Sequence, residues 1–215
     1  PMAPTPKDHT ATKEDSAFDV VIVGAGLSGI GAARHLQRQC PHLRFAILES
    51  RQQLGGTWDL FRYPGIRSDS DMHTLGYHFK PWVERKAIAD GPSILRYIQS
   101  TASEAGVDAC IHYDHRVVAA HWSSSEALWT LDIEHPQAGG RSTLKARFLY
   151  LCSGYYSYAS GYNPPLPDED LFAGRIVHPQ FWPQDLDYSG KKVVVIGSGA
   201  TAVTLVPEMA KEASS

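Results

Sequence analysis

Short runs of branched apolar residues alternate along this chain with segments of helical apolar spacing. The first run, Phe18 to Val23, has the continuous apolar character of a buried parallel strand. After a glycine-rich turn, a helical apolar face follows and stops before Pro41; it consists of Leu27, Ile30, Ala33 and Leu36. A second apolar run extends from Phe45 to Leu48 and ends in Glu49. The pattern predicts a β-α-β unit.

The middle of the chain changes from helical to strand spacing. Apolar residues recur at helical intervals from Ser93 to Ala105, and Gly106 suits the C-cap of the predicted helix. Three β-rich runs come next: Arg116 to Ala120, Leu128 to Ile133 and Phe148 to Cys152. Such short neighbouring runs predict a small antiparallel excursion that returns to the parallel sheet.

The last part of the chain repeats the opening pattern. Tyr155 to Pro167 is rich in aromatic residues, glycine and proline, which indicates a connector. Lys192 to Ile196 is again valine-rich and predicts a strand. A second glycine-rich turn and a helix start follow it; the turn consists of Gly197, Ser198, Gly199, Ala200, Thr201 and Ala202. The chain therefore contains two candidate nucleotide-binding units.

The first glycine-rich turn has the spacing of a dinucleotide-binding fingerprint, Gly24-x-Gly26-x-x-Gly29. Gly24 permits a tight turn, Gly26 lets a pyrophosphate approach the backbone, and Gly29 lets helix and strand pack closely. Ser28 lies in the same turn, where unpaired N–H groups at the helix start attract phosphate. Glu49 suits two hydrogen bonds from a ribose diol. A simple turn between packed elements is the alternative.

Composition and charge narrow the classes of function. The 215 residues carry a formal net charge of -3, and without a clustered basic run this argues against nucleic acid as the main partner. No apolar stretch approaches the roughly 20 residues that span a bilayer, and the first residues lack a signal-peptide core. Three widely spaced cysteines predict a reducing cytoplasmic location rather than a disulfide framework: Cys40, Cys110 and Cys152.

Two groups of polar residues mimic metal sites. Asp69 and Asp71 form an Asp-x-Asp pair, but the sequence offers no further ligands near them. His112 and His115 lie beside a predicted strand without an acid or thiol pair, so we interpret them as surface histidines. We therefore predict no metal site.

Two longer motifs resemble a known family. Gly55 to Asp69 reads Gly-Gly-Thr-Trp-Asp-Leu-Phe-Arg-Tyr-Pro-Gly-Ile-Arg-Ser-Asp, which is typical of a binding loop. Its glycine pair resembles that of the glutathione-reductase-like flavoproteins, which favours FAD at the first site. The whole loop resembles the signature of type I Baeyer–Villiger monooxygenases, and Phe172 to Pro183 matches that family's linker fingerprint, Phe-x-Gly-x-x-x-His-x-x-x-Trp-Pro. Gly55 to Gly76 is especially similar to the mycobacterial ethionamide-activating branch.

The resemblance implies which residues hold the cofactors. For FAD they are Gly24, Gly26, Ser28, Gly29, Glu49, Gly56, Thr57, Trp58, Asp59, Leu60, Arg67, Ser68, Asp69 and Val117. For NADPH they are the six residues of the second turn, from Gly197 to Ala202. Asp69 is also expected to position an active-site arginine that is not among these residues. His178 and Trp182 of the linker fingerprint are expected to act through position rather than directly in the chemistry.

The fold class implied is α/β, with two Rossmann-like units. Residues 1–16 are expected to form a disordered tail, and residues 17–154 the N-terminal part of an FAD-binding domain of the glutathione-reductase type. Residues 155–190 are expected to form an interdomain linker that carries the fingerprint. Residues 191–215 are expected to begin an NADP-binding domain that is incomplete here.

The reaction implied by the resemblance begins with hydride transfer from NADPH to FAD. The reduced flavin binds O2 as a C4a-peroxide, which inserts one oxygen atom into a ketone and gives an ester or lactone; sulfides and thioamides are further substrates. These 215 residues alone are not expected to turn over.

Other flavoproteins and a binding module remain as alternatives. They are an N- or S-oxidising flavin monooxygenase and a non-catalytic FAD-binding fragment. A flavin disulfide reductase is disfavoured because Gly55 to Gly65 contains no cysteine. The sequence does not predict an oligomeric state.

Overall fold

A single mixed sheet forms the centre of the molecule. The computed structural model describes residues 17–215, so the tail expected at residues 1–16 lies outside the described residues. The strands are β1 (Phe18–Val23), β2 (Phe45–Leu48), β3 (Ile111–His112), β4 (Arg116–Ser123), β5 (Leu128–Glu134) and β6 (Arg141–Leu151). They form one six-stranded sheet in the order β3-β2-β1-β6-β5-β4.

Helices connect and cover the strands. The α-helices of the described residues are α1 (Leu27–Gln39), α2 (Thr57–Leu60), α3 (Met72–Leu75), α4 (Gly91–Glu104) and α5 (Ala200–Met209). α1 ends before Pro41, as expected. α4 begins two residues earlier than the expected Ser93 because the Asp90 side chain caps it and accepts the Ser93 N–H at 2.8 Å. Gly106 follows α4 with φ 65°, which suits a helix end.

The sheet is parallel on one side and antiparallel on the other. β1 lies between β2 and β6 and is parallel to both, and β2 is parallel to β3. β5 is antiparallel to both of its neighbours, β4 and β6. This confirms the predicted α/β class and the antiparallel excursion that returns to the parallel sheet.

β6 joins the two halves of the sheet. Ala146 in its middle pairs with Trp129 of β5 on one side and with Phe18 of β1 on the other. The expected run from Phe148 to Cys152 is therefore too short. The earlier residues, 141–145, belong to the antiparallel part of the strand and are all polar except Leu144, so the apolar pattern did not reveal them in the sequence.

Apolar side chains fill both faces of the parallel part of the sheet. The main core lies between the sheet and helices α1 and α4, and includes the fully buried Ile22, Ile30, Ile47, Ile94 and Ile98. A smaller cluster lies on the opposite face and consists of Val21, Leu48, Leu131, Ile133 and Ala146. Burial on both faces explains why β1 and β2 are continuous apolar runs in the sequence.

A third apolar cluster lies under α5. Its buried members are Phe61, Tyr63, Leu205 and Met209, and Leu60 and Trp182 pack at its edge. The cluster joins the loop after α2 to the helix that follows the second glycine turn.

The prediction of a strand at Lys192 to Ile196 is wrong. Among residues 17–215 the segment has no strand partner, and Val194 and Ile196 are 85% and 73% exposed. A strand requires a neighbour for its backbone hydrogen bonds, and here the Val193 N–H donates instead to the Ser215 carbonyl at 2.8 Å. The helix expected after this segment is present as α5.

Truncation of Ile47 should test the main core. Ile47→Ala should lower the free energy of unfolding by about 2–5 kcal/mol, because Ile47 is 0% exposed and its loss leaves a cavity. Val83→Ala is the matched control, since Val83 is 91% exposed, and it should cost less than about 0.5 kcal/mol. Urea denaturation followed by circular dichroism measures both variants. Equal losses would contradict this description of the core.

Candidate cofactor-binding cleft

A cleft of about 320 Å³ opens where β1 and β2 end. The carboxyl ends of parallel strands are where ligands bind in open α/β sheets. The structure brings together eight of the residues expected to bind FAD, and they line this cleft: Gly24, Gly26, Ser28, Glu49, Gly56, Thr57, Trp58 and Val117.

The turn between β1 and α1 forms one wall of the cleft. Gly24 has φ 107°, a conformation that favours glycine. A Cβ on Gly29 would lie 1.9 Å from the Gly24 carbonyl oxygen, so only glycine lets α1 approach β1 this closely. Gly26 is the N-cap of α1 and provides no side-chain cap. The helix start therefore presents backbone N–H groups, which suit a pyrophosphate.

Glu49 lies at the base of the cleft and is 3% exposed. One carboxylate oxygen accepts the Ala25 N–H at 2.8 Å, and the other accepts the Arg51 N–H at 3.0 Å. The backbone of Glu49 is fixed as well, because its N–H donates to His112 and its carbonyl accepts from His115. The second oxygen also accepts the Ser50 hydroxyl at 3.3 Å, whereas the oxygen bound to Ala25 keeps a lone pair that suits a hydroxyl donor of a ribose.

The glycine pair faces the first turn at close range. A Cβ on Gly56 would meet the Gly26 Cα at 3.1 Å. The Gly55 N–H donates to the Ala25 carbonyl at 2.9 Å, which ties the two turns together. The two backbones thus form a narrow cradle without side chains, as a phosphate group requires.

Asp59 lies beneath the glycine pair and outside the lining of the cleft. Arg51 Nη2 approaches one of its carboxylate oxygens at 2.6 Å, and Arg62 Nη2 approaches the other at 3.1 Å. Arg51 also donates to the Gly56 carbonyl at 3.4 Å. Asp59 is 4% exposed, so this ion pair connects the segment after β2 to the glycine pair from within.

Three other residues expected to bind FAD also lie outside the lining. Ser68 is buried, and its N–H donates to the Ala89 carbonyl at 2.9 Å while its Oγ accepts the Ala89 N–H at 3.2 Å. Leu60 packs at the third cluster. Arg67 lines a second cavity beside α5. In this structure these residues direct the course of the loop.

Asp69 is exposed and lies outside the lining of the cleft, but its charge acts on Tyr156, which lines it. Tyr156 lines the cleft and packs against Phe61 with ring centroids 5.1 Å apart. A hydrogen bond with Tyr155, burial, and the negative charge of Asp69 raise the pKa of Tyr156 to about 12. The phenol therefore stays protonated at neutral pH.

The start of β4 forms the far end of the cleft. Val117 lines it together with His115 and Arg116. The pairing of β4 with β5 shifts between Val117 and Ala119, and such a bulge re-aims the side chains around it. The role expected for Val117 in binding FAD stays a prediction.

The second glycine turn is built like the first but is exposed. Gly197 has φ 131°, and Gly199 is the N-cap of α5 without a side-chain cap. Ser198 and Ala200 are exposed, whereas Thr201 and Ala202 are partly buried. Residues 17–215 place no strand beside this turn, so its role in binding NADPH stays a prediction.

His178 and Trp182 lie outside the lining of the cleft. His178 Nδ1 accepts the Gln180 N–H at 3.2 Å and caps a short 3-10 turn. Trp182 packs at the third cluster and meets Tyr188 edge-on, with ring centroids 6.3 Å apart. The positional role expected for both residues stays a prediction.

Sequence reasoning overlooked part of the cleft. Tyr156, Tyr158 and the segment 152–154 line it, although the sequence indicated a connector from residue 155 onward. The available signal was position: these residues directly follow a strand that ends beside the nucleotide turn, where ligand sites form. His115 also lines the cleft, so the interpretation as a surface histidine described it incompletely.

Two absences hold for residues 17–215. No three His, Cys, Asp or Glu side chains in this part of the chain are arranged to hold a metal ion. None of its helices combines the length and the apolar content that crossing a membrane requires.

Known sequences similar to this chain include a Rossmann-like domain family and FAD-containing monooxygenases. Residues 22–85 match the family of NAD(P)-binding Rossmann-like domains. The chain is 60% identical over 192 residues to the FAD-containing monooxygenase EthA of Mycolicibacterium smegmatis, which covers 89% of the chain and 39% of that relative. It is 51% identical over 194 residues to the probable FAD-binding monooxygenase AlmA of Acinetobacter baylyi, with 90% and 39% covered. The chain thus spans 39% of the length of these curated relatives.

Solved structures agree with the fold. The open crystal structure of cyclohexanone monooxygenase matches 92% of the chain and 38% of its own length, with a TM-score of 0.81 and 27% identity. An oxidized steroid monooxygenase bound to NADP matches 92% of the chain and 37% of its own length, with a TM-score of 0.79 and 32% identity. These findings confirm the predicted resemblance to flavin-dependent monooxygenases of the Baeyer–Villiger type.

Removal of the Asp59 carboxylate should test the ion pair under the glycine pair. Asp59→Ala should lower the free energy of unfolding by about 2–4 kcal/mol. This is somewhat less than the cost of breaking a fully buried ion pair, because the Arg51 and Arg62 side chains are 25% and 56% exposed. Thermal and urea unfolding measure the effect.

Glu126→Ala is the matched control for this variant. Glu126 pairs with Lys145 at 2.7 Å on the surface, with side chains 51% and 43% exposed, and its loss should cost less than about 1 kcal/mol. A control as destabilised as Asp59→Ala would show that burial of the pair is not the cause.

Proposed function

We infer that this chain carries the FAD-binding part of an NADPH-dependent Baeyer–Villiger monooxygenase. Its similarity to flavin-dependent monooxygenases supports this inference. The cleft supports FAD most directly, because it combines an uncapped helix start, a buried Glu49 carboxylate and a cradle without side chains between Gly26 and Gly56. The chain spans 39% of its curated relatives, so the activity proposed is that of the whole protein.

The residues of the cleft suit the parts of FAD in turn. We assign the pyrophosphate to the backbone around Gly26 and Gly56, and the ribose diol to Glu49. The adenine then lies toward Val117 at the far end. Trp58 and Tyr156 also line the cleft and supply aromatic surface, against which a flavin ring would lie.

FAD, when bound, supplies the redox chemistry, because it takes hydride from NADPH and reacts with O2. The residues of this chain bind it, orient it and exclude water. We propose that Asp69 positions an arginine through a charge-assisted hydrogen bond.

We propose a ketone as the substrate, converted to an ester or lactone, with sulfides and thioamides as further substrates. The motifs at Gly55 to Asp69 and at Phe172 to Pro183 support a Baeyer–Villiger reaction, as does the likeness to cyclohexanone and steroid monooxygenases. NADPH as the reductant is supported by the steroid monooxygenase bound to NADP.

We propose a cytoplasmic location for the protein. All three cysteines are free, as a reducing compartment favours. Burial raises the pKa of Cys110 and of Cys152, so both remain thiols at neutral pH.

Oxygenation assays should test the reaction class. The full-length protein that carries this sequence should consume NADPH and oxygenate a ketone, while an amine should be a poor substrate. Oxidation of amines without ketones would favour an N-oxidising flavin monooxygenase instead. Purified protein that stays colourless with added FAD would contradict every flavin-dependent function.

Glu49→Gln should weaken FAD binding by about 10-fold or more, because an amide oxygen accepts weaker hydrogen bonds from a ribose than a carboxylate does. Fluorescence titration of the flavin-free protein with FAD measures the dissociation constant. Glu126→Gln, at an exposed carboxylate, is the control and should bind FAD as the wild type does. Unchanged affinity in Glu49→Gln would rule out the proposed ribose contact.

A further inference from the structure

A short segment of the linker lies against the cofactor-binding cleft. We call residues 157–161 the strap. Its Tyr158 lines the cleft, and a Cβ on Gly56 would lie 3.3 Å from the Tyr158 hydroxyl. The phenol is therefore directly above the glycine cradle in which we place the pyrophosphate.

The surroundings of Tyr158 hold its ring in this position. The Arg51 guanidinium lies over the ring, 5.8 Å from its centroid. Burial and the negative charge of Glu49 raise the pKa of Tyr158, while a hydrogen bond from Thr57 opposes the shift. The hydroxyl is thus protonated at neutral pH and lies within the electrostatic influence of the Glu49 carboxylate.

Gln180 of the linker fingerprint holds one end of the strap. Its side chain is a polar group in a buried position, since the residue is 4% exposed. The Gln180 amide donates to the Ser157 carbonyl at 2.6 Å. Ser157 directly precedes Tyr158, so this bond sets the course of the backbone that carries the phenol.

His178 holds the other end of the strap. A Cβ on Gly161 would lie 2.2 Å from His178 Cε1, so the imidazole ring lies directly against the Gly161 backbone. His178 also accepts the Gln180 N–H at 3.2 Å. The His178 and Gln180 side chains therefore contact the strap on both sides of Tyr158, and the bond between His178 and the Gln180 backbone connects them.

We propose that Tyr158 is an FAD-positioning residue that closes the cleft over the ribose and pyrophosphate, and that Gln180 and His178 hold it there through the strap. The proposal rests on the proposed function, because it requires FAD in the cleft. The ring excludes water from the phosphates and from Glu49, which strengthens the hydrogen bonds to both. The linker fingerprint thereby affects the affinity for FAD without contacting it.

A double-mutant cycle on the full-length protein tests this proposal. Each variant is stripped of flavin and titrated with FAD. Tyr158→Ala should raise the dissociation constant for FAD about 10- to 100-fold, mostly through faster release of FAD. Gln180→Met, which has similar volume but no donor, should raise it about 10-fold. Because Gln180 acts through Tyr158, the double variant should bind FAD no more weakly than Tyr158→Ala alone.

The controls separate this role from a general loss of structure. Tyr162→Ala removes an 88% exposed tyrosine just beyond the strap and should leave FAD binding unchanged. Tyr158→Phe keeps the ring and should retain most of the affinity. If Gln180→Met does not fold, Gly161→Ala displaces the strap from His178 and should weaken FAD binding in its place.

Three results would overturn the proposal. They are wild-type affinity in Tyr158→Ala, fully additive losses in the double variant, and an equal loss in Tyr162→Ala. In each of these cases the wild type still binds FAD. The proposed function is then retained, and the proposal that the strap positions FAD is rejected. A wild-type protein that binds no FAD would instead overturn the proposed function, and this inference with it.

Discussion

The close contact between β1 and α1 is the constraint on which the cleft depends. A Cβ on Gly29 would lie 1.9 Å from the Gly24 carbonyl oxygen, so the helix starts directly against the strand. That contact aims the first N–H groups of α1 into the cleft. It also places the Ala25 N–H on the Glu49 carboxylate and the Ala25 carbonyl on Gly55. One backbone turn therefore positions the proposed phosphate site, the proposed ribose site and the glycine pair together.

Many polar side chains near the cleft support its loops rather than face a ligand. Asp59 is held between two guanidinium groups beneath the glycine pair, and Ser68 bonds to the backbone of Ala89. Irregular loops lack the hydrogen-bond ladders of helices and sheets, so buried side-chain bonds take their place. A binding loop keeps its geometry only when such a supporting layer is complete.

The linker packs against the loop after α2 and against α5 rather than running free between the two glycine turns. Trp182 joins the third cluster, which connects α5 to the loop at Phe61 and Tyr63. Phe61 in turn packs against Tyr156 in the wall of the cleft. The linker fingerprint is therefore part of a continuous packed region that extends from the second glycine turn to the cofactor site.

The sequence by itself determined the features whose signals are local: the first β-α-β unit, the glycine turn, Glu49 and the two motifs that indicate the family. Only the tertiary structure decided which loop side chains reach the cleft, since Thr57 and Asp59 lie in one motif but point to different partners. It also brought Gln180 onto the strap and left Lys192 to Ile196 without a strand partner. The physical reason is range, because spacing along the chain encodes helical and strand faces, whereas loop direction and strand pairing depend on contacts distant in sequence.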